Sequence, residues 1–477
     1  MNASCDILII GGGPGGTPAA MALASQGKRV LLVEAGQGLG GTCLFEGCIP
    51  SKIIRESVRR LRELRQAGDF GLCLPTLDIR INWSAIMERK LAILQHRSQA
   101  AVQRTRQLPG LELVFGSARF LTPHRAEVID REGRRQEIEF QQALIATGSE
   151  PNTPPIPGID LEQVLDSQSI LDIARIPPRL LIIGGGPIGV ELGQMFHSLG
   201  SEVRLLEVAP RILGPVDAEL AARLQQRMIA DGIELHTGVS DIRIRHTGGG
   251  VMVFFRDDQD QEQHHFATHV LQVTGRHPRV EGLGLENTAI EHDRHGIKVD
   301  ECLRTAEPHI HAAGDVLGHP MFAHWATAQS LAVARHLLGL PGGFPSPDHN
   351  SAVIFSSPEL GMAGLTEEQA RERGIEVGVA QYDFRQDARA QIHGDADGLL
   401  KILYERDSRR IIGVHALVEG AGELMGEAAA LIRSGVPIER LASAIHPHPT
   451  LSESFTVAVR TALAARGHAS GQDRGAH

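Results

Sequence analysis

Cysteine is scarce in this chain: five in 477 residues. Five is an odd number and far too few for a disulfide framework of the secreted kind, so any disulfide here is expected to be catalytic rather than structural, in a cytoplasmic protein. No apolar run approaches the roughly 20 residues needed to span a bilayer, and "MNASCDILII" has neither a basic segment nor a cleavage site. A long basic block is also absent. With 47 Lys and Arg against 57 Asp and Glu, the net charge of −10 disfavours binding to nucleic-acid phosphates or an anionic membrane as the main activity. Hydrophobic residues make up 42% and charged residues 22%, as in an ordinary globular protein, and the length calls for about three units.

What the chain does contain is a repeated unit. "DILIIGGGPGG" near the start returns as "RLLIIGGGPIG" at 179–189. Each is an apolar run, a glycine turn and a helix-like segment ending on glycine, followed by a second apolar run closing on an acid, "RVLLVE" and "EVRLLE". Gly11 precedes Glu34 by 23 positions, and Gly184 precedes Glu207 by 23. Gly11, Gly13 and Gly16, and again Gly184, Gly186 and Gly189, follow a strand and open a helix, where amides and the helix dipole can hold a pyrophosphate. Glu34 and Glu207 stand where an acid binds ribose hydroxyls. Two dinucleotide sites on one chain imply electron transfer between a flavin and a nicotinamide. Glu207 would repel a 2′-phosphate, which favours NAD over NADP, although Arg204 and Arg211 lie close enough in sequence to offset part of that repulsion.

Later in each unit an apolar run ends in Thr-Gly, at Thr147-Gly148 and Thr274-Gly275. "PHIHAAGDV" then reads as a strand, a glycine and an acid, followed by a helix. From about 346 alternating apolar runs with two amphipathic helices predict an α+β unit with an antiparallel sheet. The expected architecture is α/β: two tandem Rossmann-like units plus a C-terminal α+β dimerisation unit. Its expected divisions are an FAD-binding unit at 1–149, an NAD-binding unit at 150–274, a segment at 275–345 completing the first, an interface unit at 346–465 and a disordered polar tail at 466–477.

Two of the five cysteines sit in "GGTCLFEGCIPSK", Gly40 to Lys52. No second Cys or Cys/His pair at ligand spacing accompanies them, so no metal site is expected, and the glycines and proline argue against a core position. A helix-like run beginning at Cys48–Ser51 would lower the Cys48 pKa through its N-terminal amides. A redox-active disulfide is the best reading.

The dithiol stretch, both glycine fingerprints, "ATGSEPN", "HAAGDV" and "HPHPTLSE" together resemble the class I pyridine nucleotide–disulfide oxidoreductases, and within them the dihydrolipoamide dehydrogenases. The likeness covers the chain to about residue 463, in the same order. It implies that FAD and NAD+/NADH bind, with Cys48 as the flavin-side sulfur and Cys43 as the thiol that exchanges with substrate. Lys52 would lie near the flavin with Glu191 as its ion-pair partner, and Asp315 would bind the ribityl chain. Gly41, Thr42, Thr147, Gly148, Gly275, Gly314 and Ala323 would line the cofactors. His448, held by Glu453, would act as acid/base on the dithiol of the other subunit, with His446 as a neighbour. A homodimer with a shared active site follows, acting on a lipoyl-bearing carrier protein or a small dithiol, with no nucleic-acid or membrane partner.

Some positions depart from this pattern. Phe45-Glu46 stands where these enzymes usually have Asn-Val, Trp325 and Gln329 where they have Lys and an acid, and Thr17 where they have Tyr. A paralogue using NAD(P)H on another disulfide or acceptor, and a non-catalytic flavoprotein subunit, are the alternatives.

Overall fold

The computed structural model describes residues 3–73 and 79–472. The first parallel sheet is built on Ala3–Ile10, whose apolar run "DILII" is buried between Val30–Glu34 on one side and Arg135–Ile145 on the other. Strand Leu111–Thr122 pairs parallel with Val30–Glu34, and Ile310–Ala312 pairs parallel with the far edge. The sheet thus draws in a strand from beyond residue 300, which places Asp315 beside the first fingerprint. Leu111–Thr122 and Arg135–Ile145 are longer than their parallel partners; their free ends pair antiparallel with Arg125–Asp130.

The second parallel sheet orders its strands as Glu234–Thr237, Glu202–Glu207, Arg179–Ile183, His269–Gln272 and Val164–Leu165. An antiparallel trio, Ser240–Thr247, Gly250–Arg256 and Glu262–Ala267, packs on it through Val251, Val253 and Phe255. The chain enters and leaves this unit through a two-stranded antiparallel link, Ser149–Pro151 against Arg276–Pro278. The C-terminal unit is a five-stranded antiparallel sheet covered by helices Ala421–Arg433 and Glu453–Gln472. No helix among the described residues is long and apolar enough to cross a membrane.

The last helix runs Glu453–Gln472, and of the tail expected at 466–477 the residues 473–477 lie outside the described residues. The packed first turns, with Phe455, Ala458 and Val459 buried, nucleate the helix, after which each further residue adds a hydrogen bond without a new nucleus.

A buried charge cluster joins the second and C-terminal units. Lys401, 5% exposed, lies 2.8 Å from Asp217 and also pairs with Glu367. Asp217, 3% exposed, additionally caps helix Ala218–Ala230 through the amides of Glu219 and Leu220. Removing the ammonium strands the buried Asp217 carboxylate, so Lys401→Met is expected to cost about 3–5 kcal/mol of stability, read as a shift in denaturant midpoint. A loss below about 1 kcal/mol would show that the pair merely offsets its own desolvation.

Candidate active site

The two fingerprints adopt the same local geometry. Gly11 and Gly184 have φ of 110° and 117°, values that favour glycine. A Cβ at Gly16 or Gly189 would lie 1.9 Å from the carbonyl oxygen of Gly11 or Gly184, so only glycine lets helix and strand approach this closely. The middle glycines differ in kind. At Gly186 an added Cβ meets nothing within 4 Å, and at Gly13 only Gly41 Cα, 3.6 Å away. Space over the middle glycine at a helix N-terminus is what a pyrophosphate requires, so both cradles fit a dinucleotide.

Glu34 and Glu207 end the adjacent strands as the spacing predicts. Each carboxylate first organises its own loop: Glu34 accepts the amides of Gly12 and Gly36, both at 2.5 Å, and Glu207 those of Gly185 and Ala209, at 2.6 and 2.7 Å. Each oxygen keeps lone-pair capacity for a ribose hydroxyl. Arg204 and Arg211 are both engaged elsewhere. Arg204 pairs with Glu234 at 2.6 Å and Glu202 at 2.8 Å, and Arg211 with Glu368 at 2.9 Å and the carbonyls of Gly214 and Val216.

Gly41, at φ 57°, starts a short helix, Gly41–Phe45, that sits against Gly13 and carries Thr42 and Cys43. Gly47 caps the long helix Cys48–Arg65, so Cys48 occupies its first turn. Cys43 is half-buried, Cys48 is exposed, and the two stand as free thiols sharing a hydrogen bond. That bond from Cys43, assisted by the Lys52 ammonium, brings Cys48 down to about 7. Cys43, the donor, is pushed up instead, by that same hydrogen bond and then by burial. The pair is therefore asymmetric, with thiolate character on Cys48.

One turn along the same helix, Lys52 Nζ lies 2.6 Å from Glu191 Oε2 and 4.4 Å above the Phe355 ring. Glu191 comes from helix Pro187–Ser198, which the second fingerprint opens, and its other oxygen accepts the Phe355 amide at 2.9 Å. One carboxylate thus ties the dithiol helix to the second nucleotide unit and to the C-terminal unit. Asp315, following Gly314 (φ 82°), accepts from Ser149 Oγ at 2.7 Å, and Ser149 is held by Arg276 Nε at 2.8 Å. Burial raises the Asp315 pKa, with Ser149 and Arg276 opposing. Thr147 donates to the Arg279 carbonyl at 2.6 Å, Gly148 accepts the Arg279 amide, and Gly275 accepts the Asn152 amide at 3.1 Å. Both Thr-Gly pairs therefore sit at the two-stranded link. Ala323 opens helix Ala323–Leu337.

His448 and Glu453 form the expected pair: Nδ1 lies 3.1 Å from both carboxylate oxygens, leaving Nε2 free on a ring that is 74% exposed. The Thr450 amide, and then His448, hold Glu453 below the usual carboxylate range. His446 is committed elsewhere, to Glu427 at 2.9 Å and Thr456 at 2.7 Å, and is 11% exposed. Among the described residues no hydrogen bond or ion pair joins the His448–Glu453 pair to the dithiol within one chain.

The departures also find places. Glu46 turns to Gln168, 2.5 Å away, and Phe45 packs with Leu44, Ile53 and Leu94. Trp325 is buried, Gln329 accepts the Gly314 amide at 2.8 Å, and Thr17 donates to the Gly12 carbonyl at 2.8 Å. Sequence reading missed the Arg276–Ser149 brace on Asp315 and the Phe355 face beneath Lys52, which no local motif marks.

The open space at Gly186 supports a direct prediction. Gly186→Ala leaves the fold intact, because the methyl meets no protein atom, but narrows the second cradle. Dinucleotide affinity at that site is expected to fall by about tenfold or more, equivalent to about 1.4 kcal/mol, while the melting temperature stays constant. Unchanged affinity in a titration would mean that the dinucleotide does not pass over Gly186.

Residues 5–330 match the family model described as pyridine nucleotide-disulphide oxidoreductase, and 350–459 match the dimerisation domain of that family. A dihydrolipoyl dehydrogenase of Bacillus subtilis is 36% identical over 463 residues, 97% of this chain and 100% of that protein. One from Thermus scotoductus is 37% identical over 457 residues, 94% and 95% of the two chains. Among solved structures, a Cu(II) complex of the HOCl-induced flavoprotein disulfide reductase RclA from Escherichia coli superposes with a TM-score of 0.84 at 29% identity. It covers 97% of this chain and 100% of that one. LpdA from Mycobacterium tuberculosis gives 0.87 at 26% identity, covering 96% and 99%. The family is FAD-dependent and binds a nicotinamide nucleotide. A chain that aligns end to end with dihydrolipoyl dehydrogenases and folds as flavoprotein disulfide reductases do is an enzyme of the pyridine nucleotide–disulphide oxidoreductase family.

Proposed function

We propose that the enzyme oxidises a dithiol, with dihydrolipoamide or a dihydrolipoyl-lysine of a carrier protein as substrate, and uses NAD+ as the final acceptor. The observation that carries this reading is the placement of the two thiols: Cys43 stands on the short helix against Gly13, and Cys48 in the first turn of the helix whose next turn carries Lys52, so that thiolate character falls to Cys48. FAD, when bound, supplies the two-electron relay between that dithiol and the nicotinamide. Its ribityl chain would meet Asp315, its pyrophosphate Gly13 and its adenosine ribose Glu34; NAD+ would use Gly186 and Glu207.

The thiol chemistry follows from the groups themselves. One substrate sulfur, its proton taken by His448 Nε2, attacks Cys43 of the oxidised pair; the Cys43–Cys48 bond breaks and Cys48 leaves as thiolate. The second substrate sulfur attacks the mixed disulfide, releasing the oxidised cyclic disulfide and a reduced Cys43. The substrate loses two electrons, and the cysteine pair gains them. Glu453 fixes the imidazole with Nδ1 toward itself and stabilises its protonated form.

His448 bonds only to its own neighbourhood, which supports a homodimer in which this histidine serves the dithiol of the other subunit; the match to the dimerisation domain supports the same arrangement. NAD rather than NADP is favoured by Glu207 at the ribose position, with Arg204 and Arg211 already paired to acids. The cysteine count supports a cytoplasmic setting. The unit limits at 149/150 and 274/275 are proposed on the two-stranded link that flanks them.

A steady-state screen of NAD+ and NADP+ against dihydrolipoamide, glutathione and related thiols and disulfides tests the reading. Dihydrolipoamide with NAD+ is expected to give the highest kcat/KM. Preference for another pair by tenfold or more would reassign the enzyme to the alternative prompted by Phe45 and Glu46, a reductase of a different disulfide.

A further inference from the structure

The second sheet carries a cluster that the redox chemistry does not use. Glu234 and His236 lie two residues apart on strand Glu234–Thr237, so their side chains leave the same face. His265 reaches them from Glu262–Ala267 in the antiparallel trio. Glu234 Oε1 is 2.9 Å from His236 Nε2 and 3.3 Å from His265 Nε2, and the three atoms lie within 4.8 Å of one another. His265 Nε2 is buried and makes no hydrogen bond, although it stands within ion-pair distance of Glu234. A buried ring nitrogen that makes no hydrogen bond, grouped with two other donor atoms, calls for a reason.

We propose that Glu234, His236 and His265 form a three-ligand site for a divalent transition cation of the zinc class, with the fourth position open to solvent. Bonds of about 2.0–2.1 Å in a tetrahedral site set donor atoms roughly 3.3 Å apart, close to the 2.9 and 3.3 Å from Glu234 Oε1 to the two imidazole nitrogens. Two imidazoles with one carboxylate select zinc, cobalt or copper over magnesium and calcium, which take oxygen donors. Arg204 Nε donates to the other carboxylate oxygen at 2.6 Å and fixes its orientation, as a supporting partner does around bound metals. The bound ion ties the edge strand of the nicotinamide-side sheet to the antiparallel trio. That strand pairs with Glu202–Glu207, Thr237 opposite Glu207, so the tie lies beside the proposed ribose contact.

The test uses flavin-loaded Cys43→Ser/Cys48→Ser protein, in which the dithiol cannot compete for metal, after chelator treatment. Titration with Co2+ is expected to load one equivalent per chain, with the intense visible absorption of a low-coordinate site, displaced by Zn2+. His265→Asn and Glu234→Gln are each expected to weaken Co2+ binding by about 100-fold or more, a loss at least as large as that from disturbing a supporting partner. Both variants should retain flavin and the metal-free melting temperature. The rise in melting temperature that Zn2+ gives the parent should vanish in them. Equal uptake by parent and variants, or no stoichiometric uptake by the parent, overturns the site and leaves a plain His–Glu ion pair.

Discussion

Cys48→Ser is expected to abolish dithiol oxidation while leaving slow oxidation of NADH by artificial acceptors. The geometry explains why the two cysteines are not interchangeable. Cys48 sits at the first turn of a helix, accepts the Cys43 hydrogen bond and feels the Lys52 ammonium, which together bring it to about 7. Serine keeps the size but ionises far above the working pH and cannot form a disulfide, so no electron pair can be held there. On the proposed reading NADH would bind at Gly186 and Glu207, which lie on elements other than the dithiol helix, so the nicotinamide half-reaction is expected to survive. Full retained dithiol activity in a steady-state assay would refute the role of Cys48. The acid side of the profile has a definite sign: the thiolate is present above about 7 and lost below it, so the reduced parent enzyme should lose thiolate absorbance as pH falls through that value. Because the two thiols titrate together, the midpoint belongs to the pair.

His448→Gln is expected to slow the dithiol half-reaction by about 10²–10⁴-fold, the usual contribution of a positioned acid/base. Glutamine keeps a hydrogen bond to Glu453 but cannot accept and hold the substrate proton. His446→Gln should have a much smaller effect, because both nitrogens of His446 are already engaged, by Glu427 and Thr456, and the ring is largely covered. Rapid-mixing measurement of each half-reaction separates the outcomes. A loss of that size from His446→Gln, with His448→Gln near the parent rate, would move the base to His446. Unchanged reduction by NADH in both variants would confine the defect to the thiol side.

The parts of this site legible in sequence are those whose chemistry lies within a short span. The two fingerprints and their acids are fixed by backbone demands over about two dozen residues, so Gly16 against Gly11 and Glu34 against Gly12 could be anticipated from spacing. His448 and Glu453 also share one short motif, although their pairing was read from the resemblance. Lys52 with Glu191 spans 139 positions and came from resemblance alone, as did Asp315. The Arg276–Ser149–Asp315 chain and the Glu46–Gln168 contact join residues more than 100 apart, and only the folded chain brings them together. Arg204 and Arg211 show the opposite failing. Nearness to Glu207 in sequence suggested a shared role, but Arg204, three residues before it on one strand, leaves the opposite face and turns to Glu234, while Arg211, beyond the strand, pairs with Glu368.

Reductive titration followed by absorbance tests the central claim most directly. Purified flavin-loaded enzyme is expected to be yellow, and one equivalent of NADH or of a dithiol should raise a long-wavelength charge-transfer band, the signature of the Cys48 thiolate against the flavin. With flavin bound, reduction by either reagent and no such band would contradict the dithiol mechanism.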